Sequence, residues 1–204
     1  MILMPAGFKF TVLQTQLLSM VLGAVIIFIL LSSAWLVKKY PRQNCFIMGL
    51  YVIPSFVGTI ILMTVRNTST STKAGLLISY YIVLSFWAAQ TLAMPLISRN
   101  IAGQTKKTVV VTMNFCAWCA GNATGPQVFL STDAPRYFIA FATHMGCYAL
   151  LVATIAFLRW WLKRHNDKKD RLAEAGVSEA KDEKMVHAFD DLTDRENPNF
   201  RYIY

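Results

Sequence analysis

Long apolar stretches alternate along the chain with short polar connections. Five stretches of 22 to 28 residues contain no Asp, Glu, Lys or Arg, and the first of them lies between Lys9 and Lys38. About 20 apolar residues are enough for a helix to cross the hydrocarbon core of a bilayer. The pattern therefore predicts an all-α fold, a polytopic membrane helix bundle with five transmembrane helices at 12–37, 44–65, 75–97, 108–130 and 136–161.

The predicted spans divide the chain into three parts. Residues 1–11 lack the basic start of a signal peptide and are typical of the end of a preceding apolar helix, followed by an outer loop. Residues 12–162 form the predicted five-helix membrane domain. Residues 163–204 are polar and carry charges of both signs, so we expect a largely disordered cytosolic tail unless it docks on the membrane domain.

Charge fixes the predicted orientation of the spans. The 204 residues carry a net charge of +9, and their basic residues cluster at the ends of the apolar stretches. With the N-terminus outside, 12 Lys or Arg residues flank the cytosolic ends and only 4 flank the outer ends. Basic residues near span ends favour the cytoplasm, so the sequence predicts an outer N-terminus and a cytosolic C-terminus. Basic clusters confined to span ends exclude a nucleic-acid surface.

The fourth predicted span carries a polar stripe. Asn114, Trp118, Gly121, Asn122 and Gly125 recur at helical spacing and share one face. One interpretation is a cavity wall whose amides bind a polar substrate, since amides in a membrane must face protein or water. The other is helix packing, in which Gly121 and Gly125 let a second helix approach closely and the asparagines bond across the interface. Both interpretations stay open.

Other polar residues inside the spans allow the same two interpretations. Gln14, Gln16 and Gln90 are cavity residues or neutral groups that bond between helices. His144 is the one ionisable side chain buried within the fifth span and a candidate for proton coupling, although no carboxylate lies in any span. A lone histidine is more often a packed structural residue.

Enzymatic chemistry finds no support in the sequence. Cys116 and Cys119 match C-x-x-C, but they lie inside a span, so we interpret them as small apolar fillers rather than a redox pair. The chain shows no metal-ligand cluster, phosphate loop or nucleophile–base pair, and we expect no enzyme, metal or cofactor. Asn67 begins a glycosylation sequon in a predicted outer loop.

Two segments of the chain resemble a known family. Residues 100–107 read NIAGQTKK and precede GNATGPQ at 121–127; residues 7–8, 13–18, 191–197 and 200–202 add weaker matches. Together they resemble the allantoate permease family of fungal anion:cation symporters, within the major facilitator superfamily. The resemblance implies that the five spans are the last five of a twelve-helix fold. One departure is the loop 38–42, which lacks the acidic residue and glycine of the superfamily pattern.

The resemblance also implies a function and a site. The expected activity is transport of a small organic anion, a carboxylate such as allantoate or nicotinate, by proton-coupled symport in the plasma membrane. The helices that line the cavity in this superfamily favour Asn114, Asn122, Gln90 and Gln16 as substrate-binding residues and disfavour His144. Transport would further require the N-terminal half of the fold, and the basic partner of the anion would come from outside these spans.

A second function class is kept open. Five helices are enough for a non-transporting membrane fragment, or for a regulatory or assembly partner of a larger transporter. We expect the chain not to transport by itself, because alternating access needs two halves around one cavity.

Overall fold

The computed structural model describes residues 12–65, 70–133, 137–174, 193, 194, 197 and 200–204. The segment 1–11 and the sequon at Asn67 lie outside the described residues. Six helices follow in order: α1 Val12–Lys39, α2 Asn44–Thr64, α3 Thr70–Val83, α4 Phe86–Asn100, α5 Gln104–Thr124 and α6 Phe138–Glu174. Short 3-10 turns at Gly125–Val128 and Ser131–Asp133 join α5 to α6. The described residues contain no strand, which confirms the all-α prediction.

Four segments among the described residues are long and apolar enough to cross a membrane. They are Gln16–Lys39, Asn44–Thr64, Ser71–Asn100 and Phe138–Leu172. The fold is therefore a helical membrane bundle, as predicted. Helix α5, which corresponds to the fourth predicted span, has 21 residues and so reaches about 31 Å. It is not among the four, because its lysines and asparagines dilute its apolar residues.

Helix α2 lies at the centre of the bundle and packs on α3, α4 and α6. One hydrophobic cluster joins α2 to α4 and α6, with buried members Cys45, Ile47, Met48, Val52, Ala89, Leu92, Leu96, Tyr148 and Ile155. Burial at this centre also includes small polar residues of α2, such as Ser55 and Thr59. The ends of α1 and α4 and the starts of α2 and α5 lie together, and we call this the Asn100 end of the bundle.

The third predicted span, 75–97, is two helices rather than one. Between α3 and α4, the N–H groups of Leu84 and Ser85 bond to carbonyls three residues back, at 3.2 and 3.1 Å. Ser55 Oγ of α2 donates to the Val83 carbonyl at 2.8 Å, and Ser85 Oγ donates to the Tyr51 carbonyl at 2.8 Å. A broken helix leaves carbonyls that need donors inside a bilayer, and hydroxyls across the helix interface supply them.

Close helix packing occurs at Gly58, a position that the sequence pattern did not single out. A Cβ added there would lie 2.9 Å from the Ser79 carbonyl oxygen and 2.9 Å from Val83 Cγ2, both in α3. Only glycine permits that approach, because the Ser79 oxygen belongs to the backbone and has little freedom to move. Small residues at helix interfaces serve this purpose in membrane bundles.

Two parts of residues 163–204 are ordered in the described structure, so the alternative of a docked tail applies to them. Helix α6 continues to Glu174, and residues 200–204 pack back on the bundle, where Tyr202 is buried and Tyr204 contacts the hydrophobic cluster. Amino-acid composition does not show this contact, because it depends on a few aromatic residues that pack on the surface of the bundle. Hydrogen bonds between their backbone and buried side chains hold them there. Residues 175–192 lie outside the described residues.

Candidate functional site

Helix α5 carries the predicted polar stripe and is the least enclosed helix of the bundle. None of its residues is buried. Its main helix neighbour is α4, and the 3-10 turn that follows it contacts α6. Most of the α5 surface is therefore open to whatever surrounds the described chain.

Asn114 is half-buried at the seam between α4 and α5. Its Nδ2 lies 3.6 Å from Met94 Sδ, and a thioether sulfur is a weak acceptor. Gln90 is one turn before Met94 on the same face of α4. The structure thus places Asn114 beside Met94, and the amide of Asn114 makes there only a weak hydrogen bond.

Asn122 lies two turns after Asn114 on α5 and is exposed. Its Nδ2 donates to the Trp118 carbonyl of its own helix at 2.8 Å. This bond stays within α5 and uses one of the two N–H groups of the amide. Within the described residues its Oδ1 accepts no hydrogen bond, which leaves it available to a ligand.

The two glutamines are placed differently. Gln90 and Gln16 are both exposed, and neither makes a hydrogen bond within the part of the chain that the structure describes. Gln16 lies near the start of α1, whose helix neighbours are α4 and α2. Gln90 and Asn114 thus belong to neighbouring helices, α4 and α5, whereas Gln16 belongs to α1. The side chain of Gln14 lies outside the description.

The glycines of the stripe have no neighbour in the described chain. A Cβ added at Gly121 or Gly125 would meet no atom within 4 Å. Their role in close packing stays a prediction, and it requires a partner helix other than those described.

His144 is packed rather than free. Its Nδ1 lies 2.8 Å from the Ala140 carbonyl oxygen of its own helix, and its ring centre lies 5.8 Å from that of Phe129 and 6.3 Å from that of Tyr148. Cys116 and Cys119 are free thiols. No group of three metal-ligating side chains occurs among the residues that the structure describes.

An apolar cavity of about 260 Å³ lies between α1, α2 and α3. Its two hydroxyl groups are already engaged: Tyr81 OH donates to the Leu18 carbonyl at 3.1 Å, and Ser85 Oγ to the Tyr51 carbonyl at 2.8 Å. No charged residue lines it. This cavity therefore suits apolar atoms such as a lipid chain rather than a carboxylate.

A second polar site, which the sequence pattern did not predict, lies at the Asn100 end. Asn100 Nδ2 donates to the Ile203 carbonyl at 2.7 Å, and the Ile203 N–H donates to Asn100 Oδ1 at 2.6 Å. Asn166 forms the same pair of bonds with Tyr202, at 2.8 and 2.9 Å. Each side-chain amide imitates the backbone of a neighbouring strand. The available signal was that segments 100–107 and 191–202 both contribute to the family resemblance.

Asp194 is the acidic centre of this second site and is only 4% exposed. Its carboxylate forms an ion pair with Lys106 in the first turn of α5, and Tyr202 OH donates to its Oδ2 at 2.7 Å. Burial raises the pKa of this carboxyl, but the hydrogen bonds from Lys106 and Tyr202 and the charge of Lys106 outweigh burial. The net result is a pKa below the ordinary value of an aspartate.

Lys169 of α6 binds the backbone of the same segment. Its Nζ donates to the carbonyl oxygens of Asp194, Asn197 and Phe200 at 2.7, 3.0 and 3.2 Å. The ammonium also lies 5.4 Å from the ring centre of Tyr202. All three donor positions of the ammonium are thus used on the C-terminal segment.

Three curated fungal proteins show what the chain is similar to. It is 29% identical to the MFS-type transporter cnsL of Penicillium expansum, over 97% of this chain and 39% of that protein. It is 40% identical to allantoate permease of Saccharomyces cerevisiae, over 52% of this chain and 19% of the permease. It is 28% identical to the thiamine pathway transporter THI73 of the same yeast, over 97% of this chain and 36% of that protein.

The matches cover only part of each relative. The chain spans about two-fifths or less of each of these relatives. No family model matches it, and no solved structure gives a significant match. The relatives are transporters and permeases, in agreement with the prediction that the chain is not an enzyme.

Proposed function

This chain is homologous to fungal transporters of the major facilitator type, allantoate permease among them, and on that premise we propose that it forms one wall of a transport path for a small organic anion. The proposed substrate is a carboxylate of the size of allantoate or nicotinate, and the proposed coupling is proton symport. The chain acts together with an N-terminal half that completes the cavity, and the two halves rock about a site near the midplane.

The observation that carries this proposal is that amides of the neighbouring helices α4 and α5 are incompletely bonded. Asn114 has only a thioether partner, and Gln90 makes no hydrogen bond among the described residues. An amide without partners in hydrocarbon costs free energy, so this face is expected to meet water, substrate or protein rather than lipid. Asn114, Gln90 and Gln16 would donate hydrogen bonds to carboxylate and carbonyl oxygens, and Asn122 would donate the N–H that it does not use on Trp118.

Charge compensation for the anion needs a cation between the span ends. Arg159, the arginine nearest the middle of α6, is placed toward the C-terminal segment, where its guanidinium is 5.6 Å from the ring centre of Tyr204. The five apolar stretches contain no Lys or Arg. A buried carboxylate is costly unless a cation pairs with it, so we assign the cation to the other half of the transporter. The amides of this chain then supply orientation and selectivity, and the other half supplies the charge.

The proposed membrane is the plasma membrane, with the N-terminus of the chain outside and its C-terminus in the cytosol. The excess of basic residues at the ends that α1, α4 and α6 share supports this orientation. The docked C-terminal segment lies at the same end, which would then be the cytosolic face.

Uptake by a chimeric permease tests the proposal. In it, this chain replaces the matching segment of S. cerevisiae allantoate permease, and a yeast strain without that permease is the host. Labelled nicotinate and allantoate should accumulate, uncharged nicotinamide should not, and a protonophore should abolish uptake. A chimera that reaches the membrane and accumulates none of the anions would contradict the proposal.

Side-chain variants of that chimera test the site. We expect Asn114→Ala to raise KM at unchanged membrane level, because it removes a hydrogen bond to the substrate. Thr154→Ala is the matched control, since Thr154 is exposed on α6 and bonds to the carbonyl of Leu150 in its own helix at 2.8 Å. Equal kinetics for the two variants would remove Asn114 from the site.

A further inference from the structure

We propose that the C-terminal segment is a strap that fixes the position of α5, the helix that bears the proposed substrate amides. The C-terminal strap is defined here as the described residues 193, 194, 197 and 200–204. The docking of the strap follows from its hydrogen bonds and ion pair with the helices. The effect of the strap on the substrate amides of α5 rests on the proposed function.

The strap joins three helices at the Asn100 end. Asn100 is the last residue of α4, Lys106 lies in the first turn of α5, and Asn166 and Lys169 belong to α6. Each of these four side chains contacts the strap directly. One short segment therefore links helix ends that are up to 103 positions from it in the sequence.

The two asparagines clamp the strap from opposite sides. They bond to Tyr202 and Ile203, which are consecutive residues. In an extended chain the N–H and C=O of one residue point to one edge, and those of the next residue point to the other. The strap therefore runs between α4 and α6 with one asparagine at each edge. This arrangement fixes its register, because a shift by one residue would exchange the edges.

The first turn of helix α5 is tied to the strap through the ion pair of Lys106 with Asp194. It has no buried residue and begins after Gly103, which has a φ of 88° and no side chain to cap the helix. Lys106 and Lys107 place positive charge at a helix N-terminus, which the helix dipole disfavours. The buried carboxylate of Asp194 offsets both effects through its ion pair with Lys106. Lys106 and Asp194 are thus positioning residues for α5.

Digestion with carboxypeptidase tests the docking of the strap without any transport assay. The chain is inserted in membranes, and release of Tyr202 is followed by mass spectrometry. Asn166→Asp replaces a donor by a carboxylate facing the Tyr202 carbonyl, so we expect release at least about tenfold faster than in the unaltered chain. Lys169→Ala should also accelerate release. Lys168→Ala is its matched control, because Lys168 is exposed and makes no contact with the strap among the described residues. Equal release from all these chains would overturn the proposed docking.

Transport kinetics of the chimeric permease test the positioning of α5. We expect Lys106→Ala to raise the KM for the anion at unchanged membrane level, and Lys106→Arg to restore it because arginine keeps the ion pair. Lys107→Ala is the matched control, since Lys107 shares the same turn but does not contact the strap in the described structure. If strap variants accelerate digestion but leave KM unchanged, α5 does not depend on the strap and the inference is wrong. If the unaltered chimera transports no anion, the proposed function fails, while digestion still decides whether the strap docks.

Discussion

Asn100 and Ile203 lie 103 positions apart in the sequence and exchange two hydrogen bonds, at 2.7 and 2.6 Å. Asn100 opens the segment 100–107, and Ile203 follows the tail segment 200–202, and both segments contribute to the family resemblance. The structure shows that they belong to one contact at the Asn100 end of the bundle. A tail that composition describes as polar and charged is thereby tied to the membrane domain.

Replacement of Gly58 by alanine should destabilise the bundle. The new Cβ would lie 2.9 Å from the Ser79 carbonyl oxygen, so α2 and α3 must separate, at a cost of about 1–3 kcal/mol. Thermal unfolding of the detergent-solubilised chain, followed by fluorescence-detected chromatography, measures the effect. Gly49→Ala is the matched control on the same helix, because a Cβ there meets nothing within 4 Å. Equal midpoints for the two variants would show that the α2–α3 approach is looser than described.

Replacement of Ser55 by alanine should weaken the junction between α3 and α4. It removes the donor to the Val83 carbonyl, which lies at 2.8 Å, and leaves that oxygen unpaired in the bundle. The expected loss is about 1–3 kcal/mol of unfolding free energy. Thr154→Ala removes a hydroxyl that bonds to its own helix and should cost less. Resistance to denaturant in detergent compares the two, and an unchanged Ser55→Ala midpoint would contradict the assigned role.

Docking of the C-terminal strap should be stable at neutral pH and be lost only in acid. The pKa of Asp194 is lowered in the folded chain, so its ionised form stabilises docking at pH values above the ordinary aspartate pKa. That contribution disappears as the pH falls through the lowered pKa, because the protonated carboxyl no longer pairs with Lys106. Release of Tyr202 by an acid-tolerant carboxypeptidase, measured from pH 7 to pH 3, should accelerate only toward the acidic end. Asp194→Asn should release quickly throughout the range; protection that declines between pH 7 and pH 5 would point to a different titrating group.

The predicted orientation places Tyr204 in the cytosol. A reporter that is active only in the cytosol and is fused after Tyr204 should therefore be active, and one inserted at Asn67 should be silent. The opposite pair of results would invert the topology, and would also place the docked strap on the outer face.

Some of these features follow from the sequence and others do not. The predicted spans 12–37 and 44–65 match α1 Val12–Lys39 and α2 Asn44–Thr64, because the gaps between charges mark where a chain can enter hydrocarbon. The break at Ser85 has no local signal. It depends on Ser55 of another helix, and no Gly or Pro occurs at the break.

The sequence also does not predict which pairs of helices pack closely, for a similar reason. A small-xxx-small pattern identified Gly121 and Gly125, yet the close approach in the described chain is at Gly58. A pattern on one helix cannot state which helix faces it. The docking of the strap was not predicted, because Asn100 and Asn166 bind backbone atoms of the strap. Every residue has such backbone atoms, so the side chains of the strap do not identify it as the partner of these asparagines.

The central claim is that the α5 stripe faces a water-filled substrate cavity, and thiol accessibility tests it most directly. In a chimeric permease without its native cysteines, Asn114→Cys should react with a water-soluble maleimide, and the transported anion should slow that reaction. Leu150→Cys is the control, because Leu150 is 69% exposed on α6 and should face lipid. Labelling of Asn114→Cys with protection by the anion is the predicted result. If Asn114→Cys is as unreactive as Leu150→Cys, the stripe meets lipid or a packed helix, and the proposed transport site is wrong.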